Sequence, residues 1–142
     1  GNGPDEDELR KLIHEKKLEK QVQLIGFRTD MNEILQTADV FAFPSIREGL
    51  GIAAIEALAC GVPLIVADNR GTREYLHNDK NGLICDAFDR NAFVAAIDKV
   101  YSNVEYRKKL ADYCRESVIQ FSTEETVRTM ERIYSTMDKR IS

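Results

Sequence analysis

Glu48 and Glu56 are the residues whose type and placement could do chemistry. They lie in "REGLGIAAIEALACGVPLIVADNRGTREY", residues 47–75, and Glu56 is the sole charge within "GIAAIEALACGVPLIVA". Ionised carboxylates are almost never fully buried without a partner, because desolvating one costs several kcal/mol or forces it to take a proton. The apolar surroundings of Glu56 therefore predict a buried carboxylate with a dedicated donor. Ahead of it, "PSIREGLG" feeds straight into the helix. A glycine-containing loop that opens a helix exposes backbone N–H groups at the positive end of the helix dipole, which suits a phosphate. Gly49 and Gly51 lack a Cβ and allow close backbone approach. Glu56 falls about five residues into the helix, roughly 7 Å along its axis, with its side chain leaning toward the N-terminus. A carboxylate there can accept two hydrogen bonds from a vicinal diol beside a bound diphosphate, and a ribose on a pyrophosphate has that shape.

A purely structural reading competes at each position. Glu56 could accept bonds from backbone N–H groups or from a basic residue such as Arg73. Glu48 could be a first-turn acid or a cap, and Ser45 a turn residue after Pro44. The loop and helix alone leave both readings open, since a lone Gly-x-Gly before a helix carries little information.

The elements that must position these residues can be read from the same sequence. "DEDELRKLIHEKKLEK" is amphipathic, acidic at its start and basic at its end, which predicts a helix aligned with its dipole. "QVQLIGF" predicts a short strand ending near Gly26, and "DMNEILQTAD" a short helix capped by Asp30. "VFAFP" is a buried strand stopped by Pro44. "LGIAAIEALAC" is a helix closed by Gly61, followed by the strand "PLIVA". "GTREYLHN" is a helical turn and "NGLIC" another strand. Three helices then follow in succession: "NAFVAAIDKVYSN", "VEYRKKLADYCRESVIQ" and "TEETVRTMERIYSTMDKR". Strands alternating with helices predict an α/β fold, a Rossmann-like parallel sheet flanked by helices and ending in a run of helices. Ligands of such folds bind beyond the carboxyl ends of the strands, which singles out "GFRTDM", "PSIREGLG" and "ADNRGTRE". The expectation is a single partial domain over 1–142, with strands and helices in 1–89 and C-terminal helices in 90–142.

Composition narrows the class. The 142 residues carry a net charge of −4, which gives no whole-chain attraction to nucleic acid or anionic lipid. No apolar run approaches the roughly 20 residues that cross a bilayer, and no signal peptide is visible. Cys60, Cys85 and Cys114 are an odd, widely spaced set, read as reduced, buried thiols of a cytoplasmic protein. His14 and His77 have no Cys, His or Asp at metal-ligand spacing and read as surface residues.

Glu-x₇-Glu embedded in "PSIREGLGIAAIEALACGVPLIVA" resembles the signature of retaining GT-B glycosyltransferases, especially glycosyltransferase family 4. "GNGP" resembles that family's Gly-Asp-Gly-Pro turn. "VQLIGFRTDMNEILQTADVFAFPS" resembles its next strand, helix and strand, and "NRGTREYLHNDKNGLIC" its Gly-Gly-x-x-Glu and Asn-Gly segment. The resemblance implies a C-terminal Rossmann-like domain that binds a nucleotide-sugar donor, with a UDP-sugar expected. Glu56 would hold the ribose hydroxyls, and Glu48, as the catalytic acid nearest the reacting face, would orient the donor sugar. Gly49, Leu50 and Gly51 would present backbone amides to sugar and diphosphate, and Ser45 would shape the phosphate loop. Phe27 and Arg28, with Met31 nearby, would receive the base. The reaction would be a retaining transfer to a glycan or lipid-linked acceptor in bacterial surface-polysaccharide synthesis. The enzyme would work in the cytoplasm or at the inner face of the membrane. No Asp-x-Asp stands at a strand end, so neither a metal nor any other cofactor is indicated, and no nucleic-acid partner is expected.

Departures from the pattern are specific. Leu50 replaces the usual Phe, and Arg70-Gly71 replaces Gly-Gly. "GNGP" reads as the turn after a strand that is not present, and the chain has no initiator Met, so a piece of a longer protein is expected. The acceptor-binding N-terminal domain and the upstream phosphate-binding Arg and Lys would then lie outside it. The isolated chain would be inactive, and would self-associate or pair Val22–Ile25 against Val40–Phe43. A dinucleotide oxidoreductase would need Gly-x-Gly-x-x-Gly, which "GNGPDED" does not supply. A non-catalytic Rossmann-like interaction module is the remaining alternative.

Overall fold

The structure, a computed structural model, describes the backbone of residues 3–141 and the side chains of residues 3–136. Gly1 and Asn2 of the "GNGP" turn, and Ser142, lie outside the described residues. The chain divides into two compact units, Gly1–Met31 and Asn32–Ser142.

In the first unit, helix α1 (Glu6–Glu15) carries Glu6, Asp7 and Glu8 in its first turn and His14 in its last. The expected helix ran on to Lys20. It stops early because Lys17 takes a positive φ of 57°, and the Leu18 N–H folds back onto the Ile13 carbonyl at 2.9 Å. The strand expected over 21–27 does not form, and with it falls the pairing of Val22–Ile25 expected as an alternative to self-association. A strand exists through its hydrogen-bonded ladder, and alternating apolar residues such as Val22 and Leu24 cannot supply one alone. Asp30, expected to cap the next helix, instead accepts Arg28 Nε at 2.7 Å, with a second contact between Arg28 Nη2 and Asp30 Oδ2. That bond holds the Asp30 carboxyl below the usual carboxylate range.

Helix α2 (Met31–Gln36) leads into the second unit. There follow β1 (Phe41–Phe43), α3 (Ile52–Ala59), β2 (Leu64–Ala67), β3 (Gly82–Cys85), α4 (Arg90–Ser102), α5 (Val104–Ser117) and α6 (Thr123–Ile141). Single 3₁₀ turns lie at Thr72–Glu74 and Ile119–Phe121. The strands form a parallel sheet in the order β1-β2-β3, with Phe41 opposite Leu64 and Leu64 opposite Gly82. The predicted α/β class, a parallel sheet flanked by helices and closed by helices, is the observed one.

Every residue of β2 is buried, which is why "LIVA" reads as an unbroken apolar run. Ile65, Leu83 and Cys85 form a core with Ala96 and Val100 of α4 and Leu110 of α5. Helix α3 packs on β1 and β2 and buries Ala54, Ala57 and Leu58. It ends as predicted: Gly61 takes φ 83°, its N–H reaches Leu58 O at 2.9 Å, and Val62 N–H reaches Ala57 O at 2.9 Å. Gly82 is required by the pairing itself, since a Cβ there would stand 2.2 Å from the Leu64 carbonyl oxygen. Beside it, buried Asn81 donates to Tyr75 O and Ser117 Oγ, both at 2.8 Å, and accepts the His77 N–H at 2.8 Å. The three thiols are free, and burial pushes Cys114 up to about 12. Among the described residues, no helix is long and apolar enough to cross a membrane.

Candidate functional site

The connection from β1 to α3 carries most of the residues singled out in the sequence. Ser45 behaves as a turn residue: its hydroxyl donates to Arg47 O at 3.2 Å. Glu48 is half-buried, and its Oε1 accepts the adjacent Gly49 N–H at 3.0 Å. Around Gly49 the space is open, with nothing within 4 Å of where a Cβ would sit. Leu50 is exposed. Gly51 is different. It starts α3 in the left-handed conformation, φ 73°, and a Cβ on it would stand 2.6 Å from Tyr75 Oη and 3.2 Å from both Glu48 Cγ and Phe43 Cε1. Its missing Cβ admits protein atoms, so of the two glycines only Gly49 leaves free room.

The loop after β2 locks this connection in place. Asn69 Nδ2 donates to Ser45 O at 2.7 Å, while Asn69 Oδ1 accepts the Thr72 N–H at 3.0 Å. Buried Thr72 sends its hydroxyl to Ala67 O at 3.0 Å. Gly71 lies directly against the glutamate loop: a Cβ would come 2.6 Å from Glu48 O and 2.8 Å from Gly49 O. The sequence assigns no role to Asn69, Thr72 or Tyr75, and notes Gly71 only as part of Arg70-Gly71 in place of Gly-Gly. Asn and Thr at that spacing are side chains that fold back on their own backbone in turns, and this was the available signal. The contact of Gly71 with a loop more than twenty residues earlier left none.

Glu56 corrects the sequence reading. It is exposed. Its side chain makes no hydrogen bond or ion pair among the described residues. Helical geometry explains the error. Ala54, Ala57 and Leu58 fill the buried stripe of α3, while Ile52, Ala53, Glu56 and Ala59 share the outer one. Ile52 is 67% exposed, so the segment is apolar all round without being buried all round. The alternative partner Arg73 is committed elsewhere, donating through Nε and Nη2 to Asp68 at 2.7 and 2.8 Å. Glu56 borders an open cavity of about 380 Å³ that also touches Asn32, Gln36, Ala59, Cys60 and Arg115.

Between the two carboxylates lies the start of α3. The first bond into the helix runs from Ala54 N–H to Gly51 O at 2.9 Å, and no side chain caps the end. The amides of Ile52 and Ala53 therefore precede the helical ladder, at the positive end of the dipole. This arrangement can hold an anion while Glu48 and Glu56 accept hydrogen bonds from hydroxyl groups on either side of it. Phe27, 75% exposed, Arg28, bound to Asp30, and Met31 all fall in the first unit. Among the described residues, no group of three His, Cys, Asp or Glu is placed to hold a metal ion.

The chain is similar to known proteins over most of its length. The family model described as glycosyl transferases group 1 matches residues 1–117. A Bacillus subtilis protein named as a glycosyltransferase, EpsD, is 36% identical over 135 residues, 95% of this chain and 35% of that protein. The Escherichia coli UDP-Gal:alpha-D-GlcNAc-diphosphoundecaprenol alpha-1,3-galactosyltransferase is 29% identical over 121 residues, 84% of this chain and 31% of that protein. The chain thus spans about a third of the length of these relatives. Among solved structures, a variant of S. aureus TarM in complex with fondaparinux, alpha-GlcNAc-glycerol and UDP superposes with a TM-score of 0.86 at 26% identity. That match covers 94% of this chain and 28% of the other. A match over most of the chain, together with the parallel α/β architecture shared with GT-B glycosyltransferases, leads to one conclusion: the chain belongs to the group 1 glycosyl transferases.

Proposed function

We propose that this chain supplies the nucleotide-sugar site of a retaining glycosyltransferase of family 4 and that its donor is a UDP-sugar. The observation that carries the reading is Glu56, a carboxylate without a partner among the described residues, on the exposed face of α3 and one turn from an uncapped helix start. On this reading the ribose diol occupies Glu56 and the diphosphate faces the amides that open α3. Glu48 faces the sugar, with Gly49, Leu50 and Gly51 lining its path. The E. coli relative's name includes UDP-Gal and a diphosphoundecaprenol acceptor, and the TarM structure holds UDP. Both names support a UDP-linked donor, and the first a lipid-linked acceptor; on this reading the enzyme works in the cytoplasm or at the inner face of the membrane.

The chemistry asked of these residues is electrostatic. As the bond between the anomeric carbon and the diphosphate oxygen breaks, negative charge grows on the phosphate and positive charge on the sugar ring. Backbone amides at the α3 start stabilise the first, and the Glu48 carboxylate faces the second. The acceptor oxygen bonds to the anomeric carbon on the face that the diphosphate leaves, and its proton passes to the departing phosphate oxygen, so configuration is retained. Glu48 orients the sugar and forms no bond to it. No cofactor enters these steps.

Glu48→Ala in the full-length enzyme tests the reading, after a donor screen with each nucleotide sugar in turn. Turnover should fall far more than affinity for the bare nucleoside diphosphate, because only contacts stronger in the transition state raise turnover. Normal turnover in this variant would remove Glu48 from the reaction. A thermal-shift panel adds a second check: stabilisation by a nucleoside diphosphate is expected. Stabilisation by a nicotinamide dinucleotide would mean an oxidoreductase, and a response to neither an interaction module.

A further inference from the structure

Tyr75 is fully buried, and among the described residues its hydroxyl has no hydrogen-bond partner. Such a group carries a desolvation cost that a phenylalanine would avoid. The ring is held edge-on against Phe121, 6.5 Å between centroids, and its backbone carbonyl is fixed by Asn81 Nδ2 at 2.8 Å. Full burial leaves the hydroxyl no solvent to bond instead. It points at the start of α3, where the Cβ position of Gly51 lies 2.6 Å from Tyr75 Oη and 3.2 Å from Glu48 Cγ. Burial first, and then the nearby Glu48 charge, push the Tyr75 hydroxyl up to about 12. At neutral pH it holds its proton and is able to donate it.

The present partner of Glu48 is its neighbour's amide, Gly49 N–H, at 3.0 Å. If Gly49 turns that amide toward a bound donor, as the proposed function requires, Glu48 loses its one donor. The geometry points to Tyr75 as a positioning residue: on donor binding, the Glu48 carboxylate exchanges the Gly49 N–H for the Tyr75 O–H, which orients it toward the sugar. The orphaned hydroxyl is thus a waiting donor, and Gly51 is the residue whose missing side chain lets it reach. This inference rests on the reading of Glu48 and Gly49 given above.

The test is Tyr75→Phe in the full-length enzyme with its screened donor, beside Glu48→Ala and the double variant. Tyr75→Phe should lower kcat about 10- to 100-fold, the scale of a hydrogen bond to a charged group. The donor KM should stay within about twofold, and Tm should hold or rise because an unpaired buried hydroxyl is gone. In the Glu48→Ala background, the same change should do nothing further. An unchanged kcat in Tyr75→Phe, or an undiminished effect in the double variant, would overturn the exchange. If Glu48→Ala itself keeps normal turnover, the role of Glu48 falls first and the exchange with it. If only Glu48→Ala is inactive, the proposed function stands and Tyr75 alone is wrong.

Discussion

Glu48 and Glu56 are eight residues apart, yet the fold treats them in opposite ways. Glu48 sits on a loop with no helix or strand of its own. Its backbone is fixed by the neighbouring loop, through Gly71 against its carbonyl and Asn69 on Ser45, and Tyr75 stands beneath it. Glu56 is positioned by the α3 backbone alone, and its side chain faces open space. The comparison teaches that one motif can hold two kinds of carboxylate. One is placed by tertiary contacts that tolerate no shift, and the other by a helix that needs none.

The comparison is broken most severely at Gly71. Gly71→Ala places a methyl group 2.6 Å from Glu48 O, a backbone atom that cannot rotate away, so the glutamate loop must move. Overpacking of this kind costs about 1–3 kcal/mol, and a displacement on the order of 1 Å can cost about 100-fold in rate. Turnover of the full-length variant should therefore collapse alongside a measurable drop in Tm. Wild-type turnover would show that the loop–loop contact does not position Glu48.

A smaller effect is expected at Glu56. Glu56→Gln should weaken nucleoside diphosphate binding by about 1–3 kcal/mol, and calorimetry with a 2′,3′-dideoxy analogue should show a reduced penalty. Equal losses for both ligands would end the diol assignment. Folding should be untouched, since the side chain has no partner to lose; a fallen Tm would contradict its exposure.

The smallest effect sharpens the contrast by elimination. Arg73→Ala removes the cation that the sequence offered as a partner for Glu56, but its guanidinium is held by exposed Asp68. Nucleotide affinity should be unchanged by titration calorimetry. A clear loss would mean that Arg73 leaves Asp68 when ligand binds.

Much of this was legible because it depends on local pattern. Gly61 ends α3 because only a residue without Cβ takes that left-handed step cheaply. Asn103 on Tyr106 at 2.9 Å and Asp89 on Ala92 at 3.0 Å cap the later helices within three residues, a local signal that the sequence reading did not use. "LIVA" announced a strand by being apolar throughout, and the structure places it in the centre of the sheet. Glu-x₇-Glu with its glycines marked the connection that carries both carboxylates, with the uncapped start of α3 between them.

What the sequence could not decide needed a partner brought from elsewhere in the chain. Val22–Ile25 has the composition of a strand, but pairing creates a strand and composition does not. Glu56 lies among apolar neighbours in sequence, yet which stripe of α3 is covered depends on where β1 and β2 lie. Gly71 and Tyr75 looked like residues of a later turn until the fold placed them against Glu48 and Gly51. Periodicity and capping act over a turn or two of chain and so are written in order. Burial, close approach and an unpaired hydroxyl arise between segments distant in sequence, and packing alone sets them.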